Sequence, residues 1–381
     1  MLKIDGLPYW RLSGYYFLFF LTISGFMPYW NLYLQSISMS AEEIGLLSAV
    51  VVITKIFASP LWGWLVDHYG KRIRIIQICA FGTLICFSFA LLTEAFWWLF
   101  IILFVFSIFW SAGLPLIEAT TFSHLKDNNN DYTVIRIWGS ISFIVGVLLL
   151  GKYLETNPIS DIIPILIFFM SLVWVHSLTL SEHHDSEIHE GSISFLDILK
   201  RPAVIVIFMV CFLVQASHGP YYTFFSIYLE ANDYSSSFIG IAWAVGVLAE
   251  VLIYLILHKV IKRWSLRWLM IVSLILASIR WLMIALFVNN VYLLLLAQLL
   301  HAASFAVYHA VAIQYIHREF RGAHQGRGQA LYSSISFGAG LALGTLVSGY
   351  LWEGVGSMQT YLFAAALSSI AVVIAIKGLP D

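Results

Sequence analysis

Long apolar runs separated by short polar stretches set the pattern of this chain. Twelve runs can be marked, near residues 10–34, 43–66, 73–92, 96–122, 134–154, 161–180, 203–229, 237–257, 265–287, 292–316, 330–352 and 357–376. Each approaches or exceeds the roughly 20 residues that an α-helix needs to cross the hydrocarbon core of a bilayer. The runs are continuous rather than alternating, which argues against a membrane barrel. The pattern therefore predicts an all-α membrane protein of twelve transmembrane helices. The longest interruption, 181–202, carries Glu182, His183, His184, Asp185, Glu187, His189 and Glu190. It divides the chain into a six-helix bundle over 1–180, a linker over 181–202 and a second bundle over 203–381. The linker histidines read as a solvated tract, because no rigid element there would fix the geometry of a metal site. The first run is long enough to span and reads as a helix rather than a cleavable leader.

Composition agrees with the pattern. The chain is 60% apolar and 11% charged, against about 25% charged residues in a soluble domain, and its mean hydropathy is +0.87. The net charge of −1 says little; the placement of the charges says more. Lys3, Arg11, Lys71, Arg72, Arg74, Lys126, Lys200, Arg201, Lys259, Lys262, Arg263, Arg267, Arg318, Arg321, Arg327 and Lys377 fall on the side of the two termini, and the opposite loops hold only Lys152. Basic loops stay in the cytoplasm, so both termini are expected there. The opposite loops carry acids, among them Glu42, Glu43, Glu94, Glu155, Asp233 and Glu353, which that rule disregards. Cys79, Cys86 and Cys211 have neither metal nor disulfide spacing. No His-Glu-x-x-His or Gly-x-Ser-x-Gly string is present, so no enzyme, metal or cofactor is expected.

Five charges remain that the loops do not explain: Lys55, Glu118, Arg136, Glu250 and Arg280. A charge at bilayer depth costs about 2.5 kcal/mol or more, so each needs a partner or a water-filled cavity. Helical spacing puts Lys55 on a face with Ser48, Ser59 and Trp62, and Glu250 on a face with Trp243, Gly246 and Tyr254. The tenth run brings His301, Tyr308 and His309 near one face. Gly340, Gly344 and Ser348, four residues apart, mark a close helix contact in the eleventh run.

Between the second and third runs stands Gly63-Trp-Leu-Val-Asp67-His-Tyr-Gly70-Lys71-Arg72. The glycines allow a tight turn. Asp67 is expected at a helix N-terminus, where the dipole favours an anion, and Lys71 and Arg72 belong in water at an anionic leaflet. This string resembles the gating loop between the second and third helices of the major facilitator superfamily. The second half echoes it weakly in His258-Lys259-Val-Ile-Lys262-Arg263, as the parallel repeat of such transporters would.

Over nearly its whole length the chain resembles the phenylpropionate permease branch of that superfamily, with lactose permease a more distant relative. The matching strings are Pro28-Tyr-Trp30, Arg136-x-Trp-Gly139-Ser140, Ser217-His218-Gly219-Pro-Tyr221-Tyr222, Gly246-Val-x-Ala-Glu250-Val, Arg280-Trp281 and Gln298-x-Leu-His301, followed by His309. The resemblance implies a monomeric transporter of the bacterial inner membrane that works by alternating access, with a small molecule and a proton as its cargo and the proton gradient in place of any cofactor. It implies substrate binding by Lys55, Glu118, Arg136, His218 and Tyr222, and proton coupling by Glu250, Arg280, His301 and His309. Gly63, Asp67, Gly70, Lys71 and Arg72 form the gating motif. The chain also departs from lactose permease. Ser304 stands where that relative has a second acid, its acidic seventh helix is replaced by His218-Gly219-Pro220, and its helix-11 lysine is missing. The extra cation Lys55 suits a carboxylate and the many aromatics suit a ring, so the expected cargo is a small aromatic carboxylate such as 3-phenylpropionate. The alternative is a neutral sugar or nucleoside.

Overall fold

A computed structural model describes residues 8–125, 129–182, 195–321 and 324–380. Lys3, Lys126 and the linker histidines His183, His184 and His189 lie outside the described residues.

Among the described residues every regular element is helical, and twelve helices are long and apolar enough to span a membrane. They are α1 Tyr9–Ser36, α2 Ala41–Tyr69, α3 Arg72–Leu92, α4 Phe96–Leu125, α5 Tyr132–Leu154, α6 Ile159–Ser177, α7 Pro202–Glu230, α8 Ser236–Arg263, α9 Leu266–Leu286, α10 Val291–Glu319, α11 Gln325–Gly354 and α12 Ser357–Gly378. Helices suit this chain because hydrocarbon offers no partner for a backbone N–H or C=O, and a helix satisfies both internally. Pro28, Pro60, Pro115 and Pro220 are accommodated inside spans, as membrane helices allow. Helix α2 is interrupted for one residue at Thr54, so Lys55 opens its second part. Helix α10 widens to a π-helix over Ala302–Val307 and α11 over Ser334–Gly340; such wide turns gather at functional sites.

The contacts divide the chain into two units. The first holds α1, the second part of α2, α3 to α6, and the segment Ser235–Ile241 that begins α8. In it α1 packs against α5 and α6, and α3 packs against α4 and α6. Its core includes Leu12, Tyr16, Ile76, Cys79 and Ile117. The second unit holds α7, the rest of α8, α9 to α12, and the segment Ser40–Val52 from the first part of α2. There α7 packs against α11 and α12, and α9 packs against α10 and α12. Its core includes Val204, Cys211, Val214, Met270, Leu274 and Tyr315. The packing order repeats between the halves, as the basic echo in the sequence led one to expect. The glycine row of α11 makes close contacts: a Cβ on Gly344 would lie 2.1 Å from the Ala216 carbonyl oxygen of α7, and one on Gly340 would lie 2.6 Å from that of Phe212.

The gating motif differs from expectation in two places. Gly63 lies inside α2, with open space where a Cβ would stand; only Gly70, at φ +64°, ends the helix in the left-handed conformation that glycine tolerates. Asp67 sits in the last turn of α2 rather than at a helix N-terminus. The start of α3 bears the cations Lys71, Arg72 and Arg74, which its dipole disfavours. Glu182 supplies the missing anion: its Oε1 accepts from the Ile73 N–H at 2.7 Å. Lys71, Arg74, Tyr69 and Glu182 line an open cleft of about 590 Å³ there.

Candidate functional site

Three helices of the second unit bring their charges together. Arg280 of α9 is fully buried. Its Nε donates to the Ala297 carbonyl at 3.1 Å, and Nη1 reaches His301 Nδ1 at 2.9 Å and Ser304 Oγ at 3.3 Å. Nη2 donates to Gln298 Oε1 at 3.4 Å. The guanidinium carbon lies 4.1 Å from the centre of the Tyr221 ring and 4.5 Å from that of Trp281, a stacking that favours a cation. Tyr221 donates to the same Gln298 oxygen at 3.0 Å. Trp281 is fixed by Ser217 and Ser368 at 3.2 and 3.1 Å.

These bonds define the histidine tautomer. An arginine N–H can only donate, so His301 Nδ1 accepts and the ring proton stands on Nε2. That Nε2 lies 2.7 Å from Glu250 Oε1. The result is a directional chain: arginine donates to histidine, and histidine donates to carboxylate. Gly246, one turn before Glu250, faces His301: a Cβ there would stand in ordinary contact, 3.4 Å from His301 Cδ2. The chain is nearly dry, with His301 and Glu250 side chains 6% and 17% exposed.

The first unit holds a looser pair. Arg136 Nε lies 3.9 Å from Glu118 Oε1, and Tyr132 donates to the same oxygen at 3.2 Å. The Arg136 guanidinium stacks on Phe20 at 4.1 Å and Tyr16 at 5.5 Å. Gly139 leaves space for both, because a Cβ there would meet Phe20 at 2.8 Å and Arg136 Nη1 at 2.9 Å. Arg136 and Glu118 keep 28% and 34% of their side-chain surface. Lys55 is exposed, and among the described residues no ion pair holds it.

The remaining sequence candidates are placed as follows. His218 donates from Nδ1 to the Val214 carbonyl at 2.8 Å, leaving Nε2 buried without a partner. Its ring meets Trp281 edge-on at 4.9 Å and Tyr222 at 5.9 Å. His309 is not bonded into the Arg280 chain; its Nδ1 pairs with the Tyr332 hydroxyl at 2.8 Å. Phe305 lies between the two histidines, 5.3 Å from His301 and 6.2 Å from His309. Tyr308 does not share that line, being buried with its hydroxyl on the Cys211 carbonyl at 3.4 Å. Sequence reasoning missed Gln298, Tyr221 and Ser304 as partners of Arg280, and Tyr132 and Phe20 as partners of the first pair. Gln298, Tyr221 and Ser304 fall inside or beside the family strings, yet nothing local marks them as partners.

These charge clusters lie within twelve helices able to span a membrane, and the comparisons with known proteins give the class to which such a chain belongs. The chain belongs to the MFS_1 like family, whose model matches residues 9–363. It is 30% identical over 359 residues to the probable 3-phenylpropionic acid transporter of Escherichia coli, covering 91% of this chain and 92% of that one. It is 24% identical to the maltose permease of Geobacillus stearothermophilus, covering 94% and 92%. Among solved structures, the nucleoside transporter NupG (D323A mutant) superposes with a TM-score of 0.86 over 97% of this chain and 99% of its own, at 19% identity. That likeness shows the shared fold. These relatives are transporters and permeases, not enzymes.

Proposed function

We propose that this protein is a proton-coupled symporter that brings a small aromatic carboxylate, of the 3-phenylpropionate kind, into the cell by alternating access. It would lie in the bacterial inner membrane with both termini in the cytoplasm. The observation that carries the coupling is the Arg280–His301–Glu250 chain. Glu250 is the proton carrier: a neutral Glu250 leaves the arginine cation without its counter-charge, so gain or loss of one proton alters the whole network. Phe305 and the His309–Tyr332 pair follow along α10 and α11. Lys55 and Arg136 meet the substrate carboxylate, Glu118 orients Arg136, and the rings of Tyr16 and Phe20 frame it. His218 and Tyr222 offer aromatic faces beside Trp281. The substrate class is supported by the 30% identical relative and by Lys55, a cation that no ion pair holds among the described residues.

Vesicles reconstituted with the protein test this reading. An inward proton gradient should drive accumulation of 3-phenylpropionate by wild type. Glu250→Gln should lose at least a hundredfold of that accumulation while still exchanging substrate across the membrane. A Glu250→Gln protein that accumulates substrate normally overturns the assigned role.

A second reading, a neutral sugar or nucleoside as cargo, is favoured by the maltose permease relative and the NupG fold. In it Glu118 and Arg136 would bind hydroxyls. Lys55→Met decides between the two: it disables transport of a carboxylate and leaves transport of a neutral substrate nearly intact.

A further inference from the structure

Helix α7 carries a polar stripe that the coupling network leaves out. Cys211, Gln215, His218 and Tyr222 recur at intervals of three and four residues, which places them on one helix face. The face turns toward α10: the His218 ring stands 6.2 Å from both His301 and Phe305, and the Tyr308 hydroxyl reaches the Cys211 carbonyl at 3.4 Å. On the adjoining face the Phe212 and Ala216 carbonyls press on Gly340 and Gly344 of α11. Both neighbours widen at this level, since the π-helix of α10 contains Phe305 and that of α11 ends at Gly340.

Gln215 and His218 are both fully buried, and the protein leaves their polar atoms unsatisfied. His218 Nδ1 spends its proton on the Val214 carbonyl, which can only accept. A second ring proton would put a charge in this dry place without a counter-ion, which burial makes costly. The ring is therefore neutral, and Nε2 presents a bare lone pair. No donor meets it among the described residues. The Gln215 amide offers an N–H and an oxygen, and neither has a partner among the described residues. An unmade bond of this kind costs the full desolvation of the group, so buried atoms of this sort call for a ligand or a water to complete them.

The two groups together select the ligand. The Nε2 lone pair needs a donor, and the amide N–H, three residues away on the same face, needs an acceptor. A hydroxyl serves both through one oxygen. A carboxylate only accepts, so it would meet the lone pair with another. Aromatic surface adjoins the pair: Trp281 meets the His218 ring edge-on at 4.9 Å, and Tyr222 lies at 5.9 Å and 27° from parallel. Tyr222 and Phe305 keep part of their surface, so one layer of rings covers the pair. We propose that Gln215 and His218 form a hydroxyl-binding site, and that the preferred cargo is an aromatic carboxylate with a hydroxyl on its ring. The hydroxyl donates to His218 Nε2 and accepts from Gln215 Nε2, while the ring lies against Trp281 and Tyr222. Turning of Tyr222 or Phe305 admits it. Bound water has the same chemistry and is the competing source. The inference rests on the aromatic-carboxylate reading above and narrows it.

Calorimetric binding to the full-length protein in lipid nanodiscs tests the site. The probes are 3-phenylpropionate, its 3- and 4-hydroxyphenyl analogues and the matching methoxyphenyl acids. The better of the two hydroxylated acids should bind about tenfold or more tightly than the plain one, because a site built to bond a hydroxyl rejects a ligand that lacks it. The methoxy acids accept but cannot donate, so they should lose that advantage; this comparison needs no variant. Gln215→Met and His218→Phe should each bring the ratio of the two affinities close to one. Equal binding of hydroxylated and plain acids by the wild type means that the pair holds water only, and overturns the proposal. A preference that the methoxy acids share, or that survives both variants, overturns it as well. If no aromatic acid binds, the carboxylate reading and this inference fall together, whereas equal binding of all of them leaves that reading standing.

Discussion

The two arginine clusters stack on rings in the same way and differ in nearly everything else. Arg136 lies over Phe20 and Arg280 over Tyr221, each at 4.1 Å. Arg136 reaches its acid at 3.9 Å and stays 28% exposed. Arg280 is fully buried, its Nε, Nη1 and Nη2 each donate, and it reaches Glu250 only through His301. A partly exposed pair has donors to spare for a ligand. In the second cluster the Arg280 donors are taken up by protein acceptors. Under the proposed function the contrast separates recognition from coupling: the first cluster would meet the substrate and the second would respond to the proton.

The largest effect that could break this comparison is on stability. Arg280→Met strands a buried carboxylate, a loss of about 3–5 kcal/mol for a broken buried pair, and should lower the thermal midpoint by several degrees. Arg136→Met should leave the midpoint close to wild type, because exposed pairs contribute about 0–1 kcal/mol. Equal losses for the two would erase the distinction. The next effect is on binding: Arg136→Met should weaken 3-phenylpropionate affinity roughly tenfold or more, the value of a charge-assisted bond, with proton-driven accumulation retained at saturating substrate. Direct binding measurements with purified variants would read it. Smaller still is the effect of salt. Raising ionic strength from about 0.01 to 1 M shortens the screening length from roughly 30 to 3 Å. Substrate affinity at the open cluster should fall severalfold, whereas the thermal midpoint contributed by the dry network should hold.

The smallest effect concerns Glu155, an exposed carboxylate outside the spans. Hydrogen bonds from Ser237 and Lys152, with Ser235 adding a weaker one, hold its pKa below the usual carboxylate value. A depressed pKa means that these bonds stabilise the fold at neutral pH and through the usual carboxylate range near about 4, and are lost only as pH falls through the lowered value. Hydrogen–deuterium exchange at 235–241, expressed relative to Glu155→Gln at each pH, should therefore stay protected at pH 5 and converge with the variant only in stronger acid. Convergence above pH 5 would contradict the bonding seen here.

Much of the architecture was legible in the residues. Twelve apolar runs foretold twelve spans, with ends off by a few positions; the eleventh was read from 330 and begins at Gln325. Gly340 and Gly344 were read as a packing row and are one. The candidate sites were legible as a set of charges but not as partnerships. Glu250, Arg280 and His301 are on three helices, and their spacing in sequence carries no information about which touches which. Asp67 was expected to cap a helix because it stands beside one; Glu182, far away in sequence, caps it instead. His309 seemed equivalent to His301 by helical spacing, until Phe305 and Tyr332 gave it different neighbours.

By itself the sequence determined that the chain has twelve runs able to span a membrane, that five charges within them are not explained by loops, and that its family is one of transporters. Length and hydrophobicity are local properties, and the cost of exposing a backbone to hydrocarbon leaves one solution for each run. Only the tertiary structure decided that Arg280 is buried while Arg136 keeps part of its surface, that His301 carries its proton on Nε2, and that Gly45 and Gly240 bring the heads of α2 and α8 close to α11 and α5. Those facts depend on contacts between residues distant along the chain. A hydrogen bond or an exposed charge is a property of the neighbours that folding assembles, not of the residue alone.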